Sequence, residues 1–357
     1  MQVLSFLSEY GLFLAKTMTL VVAVLVLVLG VALIVGRNRK GGPAGDISVT
    51  SLNEQLEDMQ SSIEQAVLDK DSYKQQVKEE AKREKAEARA RKKALKKGEA
   101  VEPSGRRLFV IDFDGDIKAS EVEPLREEIT AILTVAGPED EVVLRLESAG
   151  GLVHAYGLAA SQLERIRAQK IPLTICVDRV AASGGYMMAC LADRLMAAPF
   201  AVLGSIGVVA QMPNFHKLLK KHDIDMEILT AGEFKRTLTM FGENTDKGRE
   251  KFVEELEDTH ELFKTFVSGY RPQLDMHKVA TGEIWFGRRA LEHKLIDEVC
   301  TSDDYLMQAA READVFCVRY EEKKSLQERL SDFAVRTGDS LMLRWWDRLY
   351  KSRLLSR

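Results

Sequence analysis

The sequence predicts an α/β domain with a mainly parallel sheet and flanking helices, preceded by a transmembrane helix and a charged helical stalk. Three observations carry this. From Arg107 onward, short β-branched runs alternate with amphipathic stretches of helical length, the order that builds a parallel sheet covered by helices. Thr17 to Gly36 is an uncharged run of twenty residues, long enough to cross a bilayer as a helix. Between the two lies a segment rich in charge and poor in large apolar residues.

The elements follow in order. Residues 1–40 read as a retained anchor with its span at about 17–36. A cleaved signal peptide fits less well, because Glu9 and Lys16 precede the run and no small-x-small site closes it. Arg37, Arg39 and Lys40 place the following flank in the cytoplasm by charge bias. Residues 41–104 form the stalk. From Leu52 onward, Leu56, Met59, Ile63, Ala66, Tyr73 and Val77 trace a weak heptad seam suited to self-association. Lys74 to Lys97 then carries eleven Lys/Arg against four Glu, a solvated helix face or a contact for anionic headgroups. The sheet domain is expected over 105–318. Arg107 to Phe113, Glu141 to Leu146 and Ile171 to Val177 read as strands, with helices from about Val122 to Val135 and over Val153 to Lys170. Leu195 to Val209 holds another strand or two, Lys247 to Tyr270 a long helix, and Arg288 to Lys294 a short one. The tail, 319–357, ends in a stretch where Leu341, Trp345, Trp346 and Leu349 interleave with arginines. It suits an interfacial helix or packing onto a second protomer.

Composition narrows the chemistry. A formal charge of −4 over 357 residues argues against a dedicated nucleic-acid binder. Cys176, Cys190, Cys300 and Cys317 lack CxxC spacing, and the six histidines form no HxxxH pattern, so neither a metal nor any other cofactor is expected. What remains is a pair of glycine-rich turns after strands: Glu147 to Gly151 (ESAGG), and Ser183-Gly184-Gly185. In a parallel sheet both open on the same edge, where open α/β folds place their sites. Ser183 stands where a strand ends and a helix begins. It is either the N-cap of that helix or a nucleophile beside N–H groups suited to an oxyanion. Neither turn matches a phosphate-loop pattern. A hydroxyl nucleophile needs a base, and no histidine has a recognisable place, His216 being the nearest downstream. A lysine serves when burial keeps it neutral. Spacing alone does not single one out.

The run AASGGYMMA around Ser183, GSIGV at Gly204 to Val208, AGEFKR ending at Arg236 and TGEIWFGRRALEHKLIDEV ending at Val299 occur in this order. Together they resemble the signal peptide peptidase family of Ser/Lys proteases, within the wider crotonase/Clp-like superfamily. The likeness spans roughly Arg107 to Glu298. The N-terminal MQVLSFLSEYGLFLAK and the C-terminal LMLRWWDR extend it to membrane-anchored bacterial members. The resemblance implies a crotonase/Clp-like fold, with Ser183 as nucleophile and Lys235 as general base. It also implies oxyanion N–H groups from Gly150, Gly151 and Gly184, and Ser205 orienting the lysine. Ala149 departs from the family, which has proline in that turn. Also implied are apolar peptide substrates such as signal peptides or misfolded envelope polypeptides, a homo-oligomeric ring or dome, and the bacterial inner membrane. Family members work on its periplasmic side, which conflicts with the basic flank after the anchor; the expectation is periplasmic. The rival functions are a non-catalytic oligomeric scaffold and, less fitting because it needs no serine like Ser183, an acyl-CoA-handling enzyme.

Overall fold

In the computed structural model the described residues are 16–19, 45–69, scattered positions between 71 and 89, and 105–322. The chain divides into two compact units, Met1–Asp46 with Glu322–Arg357, and Ile47–Glu321. Nearly all of the first, with the expected anchor and most of the tail, lies outside the described residues, as does most of the basic part of the stalk. Among those described, no helix is long and apolar enough to cross a membrane.

The second unit is mixed α/β. Its strands in chain order are Gly45–Ser51 (β1), Arg107–Gly115 (β2), Glu141–Ser148 (β3), Leu173–Val177 (β4), Val180–Ala182 (β5), Arg194–Ala197 (β6), Val202–Gly204 (β7), Ile284–Phe286 (β8), Glu298–Val299 (β9) and Asp314–Glu322 (β10). They form a sheet in the order β1-β10-β2-β3-β4-β6-β9, with β5, β7 and β8 branching from β3. The pairings from β10 to β9 are parallel, as are β3 with β5 and β5 with β7. Only β7 with β8 is antiparallel among the registered pairs of described residues.

Alternation along β2 shows why the sheet is covered on both faces. Phe109, Ile111 and Phe113 enter the larger core, together with Leu125, Ile129 and Ile132 of the helix Val122–Leu133 (α2). The same core takes Tyr156, Leu163 and Ile166 of the helix Val153–Ala168 (α3). Leu108 and Val110 point the other way, onto Met196, Leu306 and Val315. Burying a side chain of this size contributes about 1.5–3 kcal/mol, so the sheet is anchored from both sides.

The sheet begins earlier than its expected start at Arg107. β1 lies beside β10 at the edge. The following helix, Leu52–Val67 (α1), carries in its first turn Asn53, whose Nδ2 donates to Ala310 O (2.8 Å) and Ala313 O (3.0 Å). Its Oδ1 accepts from Val315 N at 2.8 Å. One amide thus satisfies three backbone groups more than 250 residues downstream, a pairing that local pattern does not reveal. Met59 and Ile63 on the seam of α1 are exposed.

β3 forks. Residues Val142 to Arg145 pair with β4, while Ser148 at its end pairs with Ala181 of β5. β5 in turn pairs with β7, placing Ala182 opposite Gly204. The two glycine turns of the sequence follow the ends of β3 and β5, and the fork brings them side by side.

Candidate active site

Ser183 joins β5 to the short helix Gly184–Ala189 (α4). Its backbone adopts φ 51° and ψ −118°. For a residue with a side chain that conformation costs about 1–3 kcal/mol, and the surroundings must hold it in place. Its N–H donates to Gly204 O at 2.8 Å, tying the corner to the end of β7. The side chain makes no capping hydrogen bond, so the helix-cap alternative fails. A strained strand-to-helix corner of this kind presents the hydroxyl outward.

The Gly150 turn presses against it. Gly150 has φ +87°, and a Cβ there would lie 2.6 Å from Gly184 N and 2.8 Å from Ser183 Cβ. Only glycine fits both the backbone and the space. At Gly184 a Cβ would overlap the ring of Tyr156. The Gly150 N–H is already used, donating to Ser148 Oγ at 3.1 Å. The N–H groups of Gly151 and Gly184 have no acceptor among the described residues.

A cavity of about 680 Å³ opens here, lined by Gly150, Gly151, Ser183, Ser205, Val208 and His260 among others. Ser205 shares the positive φ of Ser183, 51°, and its N–H donates to Glu283 O at 2.6 Å. A smaller recess of about 80 Å³ adjoins Ser183, walled by Val153, Met187, Val208, Val209 and Phe263. Its size and apolar walls suit a small aliphatic side chain.

The structure therefore brings together Ser183, Gly150, Gly151, Gly184 and Ser205. It does not bring Lys235 to them within one chain. Lys235 lies outside any helix or strand, exposed, and lines neither cavity at Ser183. Next to it, Glu233 is paired with Lys247, and Phe234 packs under Lys247 and Lys251. His216 belongs to a different cavity, beside Asn214, Lys217 and Arg249.

Three residues at the site escape motif reading. His260 sits on the long helix Asp246–Tyr270 (α6), three positions before Phe263 and seven before Val267, the two buried residues of that helix. That spacing is the one signal for it. Its Nε2 lies 3.2 Å from Ile206 O. A carbonyl only accepts, so Nε2 is the donor in this contact. Ser148 and Tyr156, both buried, lie beneath the Gly150 turn.

Comparison with known proteins points to peptidases. Residues 5–163 match the family model "Peptidase family S49 N-terminal" and residues 165–316 match "Peptidase family S49". The chain is 50% identical to a "Probable protease SohB" of Haemophilus influenzae, over 95% of this chain and 96% of the relative. It is 44% identical to a "Putative protease SohB" of Buchnera aphidicola subsp. Baizongia pistaciae, over 95% and 98%. A "Putative signal peptide peptidase SppA" of Enterococcus faecium is 27% identical over 46% of this chain and 48% of its own. With two adjoining family domains and a near full-length match at half identity, the chain belongs to peptidase family S49.

Proposed function

We propose that this chain is a membrane-anchored serine endopeptidase of crotonase/Clp-like fold in which Ser183 attacks the peptide carbonyl. The observation that carries the proposal is the corner at Ser183: a half-buried serine in a strained conformation, facing a cavity and flanked by two free N–H groups. Gly151 and Gly184 supply the oxyanion donors, and the role of Gly150 is to let the two turns touch. Ser183 Oγ gives its proton to a neutral base as it bonds to the carbonyl carbon. The tetrahedral oxyanion collapses, the C–N bond breaks, and the leaving amine takes the proton. Water repeats the sequence to release the acyl group.

Lys235 is the base in this reading, supplied by a second copy of the chain. A lysine accepts a proton only when desolvation keeps it neutral. Lys235 is exposed here, so its burial has to come from assembly. The segment carrying it also exposes Met226, Ile228, Leu229 and Phe234, Leu229 at 91%, a surface suited to contact between copies. Ser205 then orients the arriving amine. The small apolar recess favours extended apolar segments, such as signal peptides or misfolded envelope polypeptides, on the periplasmic side of the bacterial inner membrane.

Mixing tests the assembly. Ser183→Ala and Lys235→Ala chains should each be inactive, and chains of the two variants co-assembled should regain part of the activity. Labelling with an acylating serine probe should mark Ser183 alone. A Ser183→Ala variant that still cleaves would favour the scaffold alternative, with a contaminant as the source of cleavage.

A further inference from the structure

Tyr156 on α3 is fully buried, and its surroundings touch both glycine turns. Its hydroxyl donates to Asp116 O at 2.7 Å. The same oxygen lies 2.5 Å from Ser148 Oγ, and Gly150 N donates to that Oγ at 3.1 Å. A hydroxyl has one hydrogen. With the tyrosine hydrogen on Asp116 O, the Ser148 hydrogen has two acceptors in reach, Gly115 O at 3.1 Å and the tyrosine oxygen at 2.5 Å, and the shorter contact takes it. A one-way chain results: Gly150 N–H to Ser148, Ser148 to Tyr156, Tyr156 to Asp116 O. Burial pushes the Tyr156 phenol above its ordinary range, so the chain keeps its proton at neutral pH. On the other side, the ring of Tyr156 fills the place a Cβ at Gly184 would occupy. It is itself held edge-on against Phe113, with centroids 6.4 Å apart at 73°.

We propose that Tyr156 is a positioning residue that locks the spacing between the two oxyanion turns, its hydroxyl fixing the Gly150–Gly151 turn through Ser148 and its ring fixing Gly184. This rests on the peptidase function proposed above. A tyrosine that merely filled the core would need only the Asp116 carbonyl as partner. The second contact is what reaches the turn, and it is also what holds the Gly150 N–H away from the substrate.

The test uses the full chain with Tyr156→Phe, Ser148→Ala and the double variant. Tyr156→Phe keeps the ring and removes only the oxygen. On one apolar peptide, kcat should fall about tenfold to a hundredfold, the scale of a displaced catalytic group, with KM within about twofold of wild type. Ser148→Ala should cause a similar loss, and the double variant little more than either, because one chain of bonds is cut in each case. Hydrogen–deuterium exchange across residues 147–155 should be several-fold faster in all three. Wild-type kcat in Tyr156→Phe, a change confined to KM, additive losses, or a lower kcat with unchanged exchange would each overturn the proposal. If Tyr156→Phe does not fold, Ser148→Ala carries the test. If the wild-type chain cleaves nothing, the peptidase function falls instead. Exchange alone then decides whether Tyr156 braces the turn.

Discussion

Glu128 offers a quantitative test of how the domain holds together. It lies on the inward stripe of α2 with Val122, Leu125, Ile129 and Ile132, and is 5% exposed. One carboxyl oxygen accepts from Tyr320 N on β10 at 2.8 Å; the other has no partner. Burial is the main cause raising its pKa to about 7; the Tyr320 N–H opposes it most, Asp112 and Glu121 add to it, and Arg319 opposes further. Because the folded value lies above the unfolded one of 4.5, the folded protein holds the proton more tightly and stability falls as pH rises. The contribution is intact below about pH 4.5 and is lost as pH climbs through about 7. At about 1.4 kcal/mol per pH unit the full loss is about 3 kcal/mol. Glu128→Gln keeps the acceptor for Tyr320 and removes the titration. Its unpaired amide costs the same at every pH, so the informative quantity is how the difference from wild type changes with pH. Urea unfolding of both proteins from pH 5 to pH 8 should show that difference moving in favour of the variant by about 2–3 kcal/mol. Parallel curves, separated by a constant amount, would refute the argument and mean that Glu128 is solvated or paired in solution.

Two further outcomes follow from the geometry. Asn53→Ala strands the Val315 N–H and two carbonyls at the sheet edge, and should lower stability by about 1–3 kcal/mol with little effect on peptide cleavage; a thermal midpoint equal to wild type would contradict the docking of β1 and α1. Lys235→Arg should be as inactive as Lys235→Ala, since a guanidinium stays protonated, whereas His216→Ala should retain most of its activity; steady-state cleavage of one peptide distinguishes them, and the reverse order would transfer the base to histidine.

The parts of the fold legible in the sequence are those set by local periodicity. Arg107 to Phe113 and Glu141 to Leu146 lie within β2 and β3, and the expected helix from Lys247 is one residue shorter than α6. β1 and β10 were not legible because neither is stable without the other region of chain: their neighbours lie more than 200 residues away. β5 and β8, at three residues each, are too short for alternation to register. At the candidate site, the two glycine-rich turns and Ser183 stand out in the sequence because each follows a strand-like run. The sequence did not reveal Tyr156 or Ser148, which read as ordinary core and turn residues until the fork lays them under Gly150. Nor did it show that Gly150 spends its N–H inward, a fact of side-chain direction rather than residue type.

The fork in β3 also governs where the chain can change length. Side chains alternate along a strand, so one residue inserted between Leu146 and Gly150 would turn Ser148 to the opposite face. It would also shift the junction with β5, carrying Ser183 out of register with the glycine turn. β4 holds Val142 to Arg145 and β5 holds Ser148, so no compensating slip satisfies both. The stretch from Gly207 to Thr245 is bound by no such double pairing; it contains only the six-residue helix His216–Lys221. Variation in length among relatives should therefore gather in that stretch, leaving the spacing from β3 to Ser183 constant. Changes of length there leave untouched the register that sets Ser183 beside the Gly150 turn, and the one constraint on them is that the proposed base, Lys235, keeps its reach.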